Sequence, residues 1–436
     1  MILTALTNYY KKIISNELIK VFSFTGIATV VKFFTGFISN KILSVIIGPS
    51  GIALIGQLSN VMYIAFLLST AGIQSGIVKY VSEFEESKKK LVEYIQNAVF
   101  LILVCSLFTA ILLIAFNHQL SELILQDSKF YFVFILYGTT ILLFSLNSTF
   151  LSIINGLQEF NELIKLNITQ SINSLLFSVV LVLIWGIEGA LSAIVTNQSI
   201  VLIFSYNKIR KFDWYKTAFR KFKIKKDVLN NYFKYTLMGI VVALVDPTSK
   251  LLIRNFLIHN LSLNDAGLWE AMNRFSAMYL LVFTSTLGIY MIPKLSNAKT
   301  NLETRKILMQ TYKVVLPALS ICIIIILLLK HLIIPIVFSD KFAGMDILFL
   351  PQLIGDLFFI VNFCLSSILM AKAKTLLYII SIILYFSVYT IFAILLIRTN
   401  GIWGATIGFT ISNILYFFYY SIIFRRTLII KGIENA

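Results

Sequence analysis

The chain has 436 residues, of which 58% are hydrophobic and 13% are charged, and its mean hydropathy is +0.88. This composition excludes an ordinary soluble domain and indicates an integral membrane protein. The formal net charge of +17 does not indicate nucleic-acid binding, because the basic residues lie mostly in short segments between long apolar runs.

The apolar runs predict an all-α, polytopic membrane protein with twelve transmembrane helices. Each run can form a helix of about 20 residues, which is enough to cross about 30 Å of hydrocarbon. In chain order, the predicted spans are 20–46, 52–76, 93–117, 130–155, 162–185, 188–206, 230–258, 267–292, 307–330, 346–371, 375–398 and 401–424.

The distribution of lysine and arginine predicts the orientation of these spans. With the amino terminus in the cytoplasm, the inner loops and tails contain 26 of the 37 Lys and Arg residues, and the outer loops contain four. Basic residues accumulate on the cytoplasmic side of membrane proteins. We therefore expect both termini to be cytoplasmic.

The second half of the chain resembles the first. Gly51–Ile73 and Gly267–Ile289 are identical at seven of 23 positions, and the sequence Gly-Ile-x-Gly-Ala begins both span 6 and span 12. Such a repeat predicts two six-helix lobes of the same orientation, related by an axis along the membrane normal. The lobes comprise residues 1–206 and 230–436, joined by a basic cytoplasmic linker, 207–229, that we expect to lie on anionic lipid.

The chain contains no nucleotide-binding, zinc-protease or nucleophile-elbow motif. Its three cysteines and three histidines lack metal-ligand spacing. The sequence therefore predicts a transporter with no enzymatic activity, no metal site and no cofactor, driven by an ion gradient or by the membrane potential.

Charged residues inside the spans are the candidates for a functional site, because each costs several kcal/mol unless it faces protein or water. Five cations against three acids leave an excess of about two positive charges, which predicts a cavity for an anion such as a phosphate-bearing group. The candidates, in chain order, are Lys32, Lys41, Asp246, Lys250, Arg254, Glu270, Arg274 and Asp356.

Several of these candidates also have a purely structural interpretation. Asp246 and Lys250 are four residues apart on one helix face, as are Glu270 and Arg274, so each pair can neutralise itself. Lys41, near the outer end of span 1, can extend its ammonium group to the lipid headgroups.

The remaining three candidates differ in how well a structural role explains them. Asp356 can carry a transported ion, as can Asp246, but it can also belong to a packed polar cluster in span 10. Lys32 and Arg254 have no obvious local partner in the sequence. We therefore expect these two cations to contact the substrate.

Short sequences along nearly the whole chain, from Val30 to Arg426, carry a family resemblance. They are Val31-Lys32, Lys41, Gly48–Gly51, Ala71–Ile73, Lys79–Val81, Lys234–Met238, Arg254, Ala266–Trp269, Pro293, Lys341-Phe342, Gln352–Asp356 and Ala371–Ala373. In these the chain resembles the Wzx-type polysaccharide-lipid flippases, the O-antigen and enterobacterial common antigen translocases. Those proteins belong to the multidrug/oligosaccharidyl-lipid/polysaccharide exporter superfamily.

The resemblance implies two lobes around a cationic cavity that opens alternately to either side of the inner membrane. It implies export of an oligosaccharide on undecaprenyl diphosphate from the cytoplasmic to the periplasmic leaflet, with a polysaccharide polymerase and a chain-length regulator as possible partners. Among the charged candidates, Lys32, Lys41, Arg254 and Asp356 resemble the residues of this family at the corresponding positions. Glu270 and Arg274 look less family-like, so we expect them to tune glycan selectivity.

The diphosphate is expected to pair with four of the cations inside the spans. These are Lys32, Lys250, Arg254 and Arg274.

Two other function classes stay open at this point. A multidrug antiporter of the same superfamily would carry organic cations, which a net-positive cavity repels. A membrane-embedded polymerase or acyltransferase on the same lipid-linked glycan would need a sizeable periplasmic loop, whereas the predicted outer loops have about 15 residues or fewer.

Overall fold

The computed structural model describes the backbone of residues 17–212, 215, 224–372, 374–425 and 427. Side chains are described at the same positions except 17–27, 234–243, 289 and 293. Ten of the 23 residues of the predicted lipid-binding linker, both chain termini and several of the resemblance residues therefore lie outside the described part. The resemblance residues outside the described part are Ala373 and the side chains of Lys234–Met238 and Pro293.

All regular elements within the described residues are helical. The α-helices are α1 (Glu17–Ser69), α2 (Gln74–Glu83), α3 (Lys88–Ala115), α4 (Asn117–Leu125), α5 (Tyr131–Gly156), α6 (Phe160–Ile209), α7 (Lys226–Asn260), α8 (Leu263–Asn297), α9 (Asn301–Val337), α10 (Phe349–Ala371), α11 (Thr375–Asn400) and α12 (Ile402–Ile423). Short 3₁₀ helices, Ser128–Phe130 and Asp340–Leu348, precede α5 and α10.

Nine helical segments of the described chain are long and apolar enough to cross a membrane. They include α1 from Ala28, α6, and the continuous segments Ser128–Gly156 and Asp340–Ala371. This length and composition confirm the prediction of an all-helical, multi-pass membrane protein.

Two of the longest helices are interrupted at glycine. Gly48 in α1 has φ 66° and ψ −171°, and Gly186 in α6 has φ 55° and ψ −127°. Such positive φ values are strained for residues with a Cβ atom, so glycine is the residue that can break the helix at these points. The breaks fall close to the predicted boundaries between spans 1 and 2 and between spans 5 and 6.

The two Gly-Ile-x-Gly-Ala sequences share one local geometry. Their first glycines, Gly186 and Gly401, both have positive φ. A Cβ atom on the second glycine, Gly189 or Gly404, would lie 1.9 Å or 2.2 Å from a carbonyl oxygen of the preceding helical segment. In both hairpins, glycine therefore permits a close approach of two backbones.

The chain divides into two compact units that do not follow its sequence halves. One unit contains the described residues of Met1–Ser39 and Val61–Ile240, and the other contains those of Asn40–Asn60 and Val241–Ala436. The segment around the Gly48 break, Asn40–Asn60, is thus a component of the second unit. The lobe boundaries at residues 206 and 230 stay a prediction.

The core of the first unit includes the beginning of α7. The Tyr232 hydroxyl donates to the backbone oxygen of Tyr94 at 3.2 Å, and the rings of Tyr80 and Tyr232 lie 5.5 Å apart. Lys225 pairs with Glu93 at 2.7 Å. These contacts fasten the amino-terminal end of α7 to α2 and α3.

The core of the second unit consists of two apolar clusters. One joins α8, α9, α10, α11 and α12 through buried residues such as Leu287, Leu308 and Ile360. The other packs Ala53 and Trp269 with residues of α7, α11 and α12. The polar side chains of the candidate site lie beside this second cluster.

Candidate functional site

Glu270 lies between two arginines in the second unit. Its carboxylate accepts hydrogen bonds from Arg254 Nη2 at 2.5 Å and from Arg274 Nε at 2.9 Å. Arg254 is only 1% exposed and also donates to Gln57 Oε1 at 3.1 Å. Arg254, which has no obvious local partner in the sequence, thus has two distant ones, because Glu270 and Gln57 both bind its guanidinium group.

The fold leaves space for this pair by placing a glycine beside it. A Cβ atom on Gly56 would lie 2.6 Å from Glu270 Cδ and 2.9 Å from Arg254 Cζ. The Arg254 guanidinium lies 5.4 Å from the centre of the Trp269 ring, within the range of a cation–π contact. Packing and charge together thus fix the position of the Arg254 side chain.

Two amide side chains extend the network. Gln57 Nε2 donates to Asn255 Oδ1 at 2.6 Å, and Arg274 Nη1 donates to Asn40 Oδ1 at 3.3 Å. The charge analysis of the sequence did not select these amides. Gln57 is a polar residue within an apolar run, which could have marked it as a candidate. The neighbouring sequence, however, does not identify a partner that lies almost 200 residues away.

Lys41 is bound by the carboxyl-terminal end of α9. Its Nζ donates to the backbone oxygens of Pro335 at 2.5 Å and Phe338 at 2.6 Å. A cation is favoured there because the last carbonyls of a helix lack partners within the helix and carry partial negative charge. Lys41 thus contacts protein carbonyls, and its predicted contact with the substrate stays a prediction.

Asp246 and Lys250 form the ion pair that their spacing predicted, at 3.0 Å. Their side chains are 41% and 36% exposed, so the pair is accessible. Lys32 is also exposed, and it has no ion pair within the described part of the chain. Within the described part of the chain, Lys32 is thus a predicted cation that is exposed and has no carboxylate bound to it.

A cavity of about 290 Å³ lies within the second unit. α7 contributes Asp246 and Lys250 to its lining, α8 contributes Asn273, and α10 contributes Gln352 and Asp356. The described lining thus has two carboxyl groups and one lysine. This cavity therefore has no excess of positive charge among its described lining residues, because neither Arg254 nor Arg274 is one of them.

Asp356 is fully buried and accepts hydrogen bonds from neutral groups. The donors are Ser276 Oγ at 2.7 Å, the Tyr279 hydroxyl, and Gln352 Nε2 at 3.2 Å. No lysine or arginine in the described residues forms an ion pair with Asp356. This arrangement is the packed polar cluster that one interpretation of span 10 predicted.

Comparison with known proteins gives a match to a family of polysaccharide biosynthesis proteins over residues 18–299. The chain is also similar to the lipid III flippases of Escherichia coli (strain K12) and Shigella flexneri. Each is 24% identical over 401 residues, which cover 92% of this chain and 96% of the flippase.

Its fold is also similar to that of several solved structures, including the following two. The first is a multidrug resistance MATE family transporter of the MOP superfamily in an inward-facing conformation, with a TM-score of 0.74 and 13% identity, covering 93% of this chain and all of the transporter. The second is the lipid II flippase MurJ in an inward closed conformation, with a TM-score of 0.72 and 14% identity, covering 94% of this chain and 90% of MurJ. The family match extends over more than half of the chain, and we conclude that the chain belongs to the polysaccharide biosynthesis protein family.

Proposed function

We propose that this protein is a flippase that moves a lipid-linked oligosaccharide from the cytoplasmic to the periplasmic leaflet of a bacterial inner membrane. The likeness to lipid III flippases along 92% of the chain carries the proposal. The substrate would be an oligosaccharide on undecaprenyl diphosphate, such as an O-antigen or enterobacterial common antigen unit. A polysaccharide polymerase and a chain-length regulator would then act on the exported product.

The same family membership separates this function from its alternatives. A multidrug antiporter shares the fold, as the MATE transporter does, so the fold does not distinguish the two functions. The charge of the cavity does not exclude organic cations either, since two acids line it. The match to polysaccharide biosynthesis proteins favours a glycan-linked substrate, and the similarity to flippases favours transport over polymerisation or acyl transfer.

The twelve-span, two-lobe architecture is part of this proposal. Counting each interrupted helix, α1 and α6, as two spans and adding α7 to the nine candidate segments gives twelve. The shared geometry at Gly186 and Gly401 supports a duplication. Even numbers of spans in each lobe and the charge asymmetry of the loops support cytoplasmic termini.

Flipping is difficult without a protein because the sugar head must leave water. Hydroxyl groups transferred to hydrocarbon without partners cost several kcal/mol each. A polar path through the protein removes much of this cost, while the lipid tail stays in the bilayer. The membrane potential, negative inside, favours outward movement of the anionic substrate by about 2.3 kcal/mol per net charge for each 100 mV.

We propose Lys32, in the first unit, as the direct diphosphate ligand, and we assign Arg254 and Lys41 to the internal structure of the second unit. The burial of Arg254 and the carbonyl contacts of Lys41 support this division. Arg274, also in the second unit, is bound to Glu270 and remains 21% exposed.

Replacing Lys32 with glutamine is expected to lower export about tenfold or more, because a charged hydrogen bond to the diphosphate is lost. Lys32→Arg should retain most of the activity, since it keeps the charge. Surface polysaccharide is measured in a strain that lacks its own flippase, at matched protein levels. Lys313→Gln removes another exposed lysine from a membrane-crossing helix and serves as the control. Normal export by Lys32→Gln contradicts the assignment.

A counter-transported proton, if one drives export, would bind at Asp356 rather than at Asp246. Lys250 already neutralises Asp246, whereas the partners of Asp356 are neutral, which makes a buried negative charge costly there. Asp356→Asn should therefore flip substrate at a rate that no longer responds to an imposed pH gradient across proteoliposomes. A gradient response equal to that of the unmodified protein contradicts this role.

A further inference from the structure

We propose that the cavity of the second unit binds a sugar residue of the substrate head and not its diphosphate. This inference rests on the proposed flippase function and adds to it a location for glycan recognition. It also moves that recognition away from Glu270 and Arg274, which bind one another.

The lining of the cavity combines aromatic rings with amide groups. α11 contributes Tyr385, Phe386 and Tyr389, and α12 contributes Phe409. A sugar ring has apolar C–H faces that pack on aromatic rings and hydroxyl edges that need hydrogen-bond partners. Ligand pockets of about this size are typically apolar with a few placed polar groups, which is the composition of this lining.

Two amides of the lining are oriented by the protein. Asn273 Nδ2 donates to the backbone oxygen of Trp269 at 3.0 Å, and Gln352 Nε2 donates to Asp356 Oδ1 at 3.2 Å. Each amide thereby keeps a carbonyl oxygen that can accept a hydrogen bond from a sugar hydroxyl. Asp356 acts in this arrangement as a positioning residue, because it holds the nitrogen of Gln352.

The charge of the lining argues against the diphosphate as occupant. The one cation among the described lining residues, Lys250, is already bound to Asp246, and Asp356 supplies no positive charge whether or not it carries a proton. A diphosphate would therefore find no free cation in this lining. The same charge should favour a neutral sugar over an acidic one.

Binding of defined lipids to the purified full-length protein tests the subsite. The probes are undecaprenyl diphosphate and undecaprenyl diphosphate carrying one glucose. We expect the unmodified protein to bind the glucose-bearing lipid more tightly. Asn273→Leu and Gln352→Met should each weaken that preference about two- to tenfold, while leaving the affinity for the sugar-free lipid unchanged. Asn264→Leu, an exposed position on the same helix as Asn273, should change neither affinity.

The outcomes separate this inference from the proposed function. If the unmodified protein binds neither lipid, the flippase proposal and the subsite both fail. If it prefers the glucose-bearing lipid and both variants keep that preference, only the subsite fails. An equal loss of affinity for the two lipids in the variants would instead assign the cavity to the diphosphate.

A second measurement needs no variant. The unmodified protein is compared with undecaprenyl diphosphate carrying glucose or glucuronate, two sugars that differ by one carboxylate. Weaker binding of the glucuronate lipid is expected from the acidic lining. Equal or tighter binding of the glucuronate lipid would overturn the charge argument.

Discussion

Replacement of Glu270 by glutamine is expected to lower the free energy of unfolding by about 3–5 kcal/mol, the usual cost of removing one partner from a buried ion pair. Glu270 is the acid that binds both Arg254 and Arg274. Its neutralisation leaves the guanidinium of Arg254 buried without a carboxylate, and the one amide oxygen of the new glutamine replaces two carboxylate oxygens that each accepted from an arginine. The measurement is the thermal stability of detergent-purified protein.

A second substitution tests whether charge is the cause. Arg254→Met combined with Glu270→Gln removes both members of the most buried pair, so stability should recover in part and the two effects should not add. The control is Glu188→Gln, because Glu188 is an exposed glutamate on α6. A Glu270→Gln protein as stable as the control contradicts the network as a stabilising element.

Replacement of Gly267 by alanine is expected to prevent normal packing of α8. A Cβ atom there would lie 1.9 Å from the backbone oxygen of Pro49 and 2.3 Å from its carbonyl carbon. Overpacking against side chains costs about 1–3 kcal/mol, and a backbone that follows the Gly48 break has less freedom to move than a side chain. We therefore expect a larger loss and little folded protein in the membrane.

Gly288 provides a matched control on the same helix. A Cβ atom at Gly288 has no neighbour within 4 Å among the described residues, so Gly288→Ala should be tolerated and can even stabilise α8 by about 1 kcal/mol through helix propensity. Folded yield after detergent extraction, measured by size-exclusion chromatography, distinguishes the two variants. Equal yields of Gly267→Ala and Gly288→Ala would show that the close approach to Pro49 is not required.

The helices and their local ion pairs were predictable because their signals are contiguous in the chain. Long apolar runs predicted the membrane-crossing helices, and the spacing of Asp246 and Lys250 predicted a pair that the structure confirms. Both inferences need only the periodicity of one helix.

The site itself depends on contacts that no local pattern encodes. Arg254 and Gln57 are 197 residues apart, and Lys41 and Pro335 are 294 residues apart. Charge counting therefore treated Arg254 and Lys41 as available cations, although folding brings acceptors to both. Lys32, which the same counting selected, remains exposed.

The central claim is transport of a lipid-linked oligosaccharide, and flipping by the purified protein in liposomes tests it most directly. Fluorescent undecaprenyl-diphosphate oligosaccharide is placed in both leaflets, and a membrane-impermeant glycosidase reports how much of it reaches the outside. In vesicles containing the protein, cleavage should proceed beyond the outer-leaflet share to the whole lipid pool. Cleavage that stops at the outer-leaflet share, as in protein-free vesicles, would contradict the account.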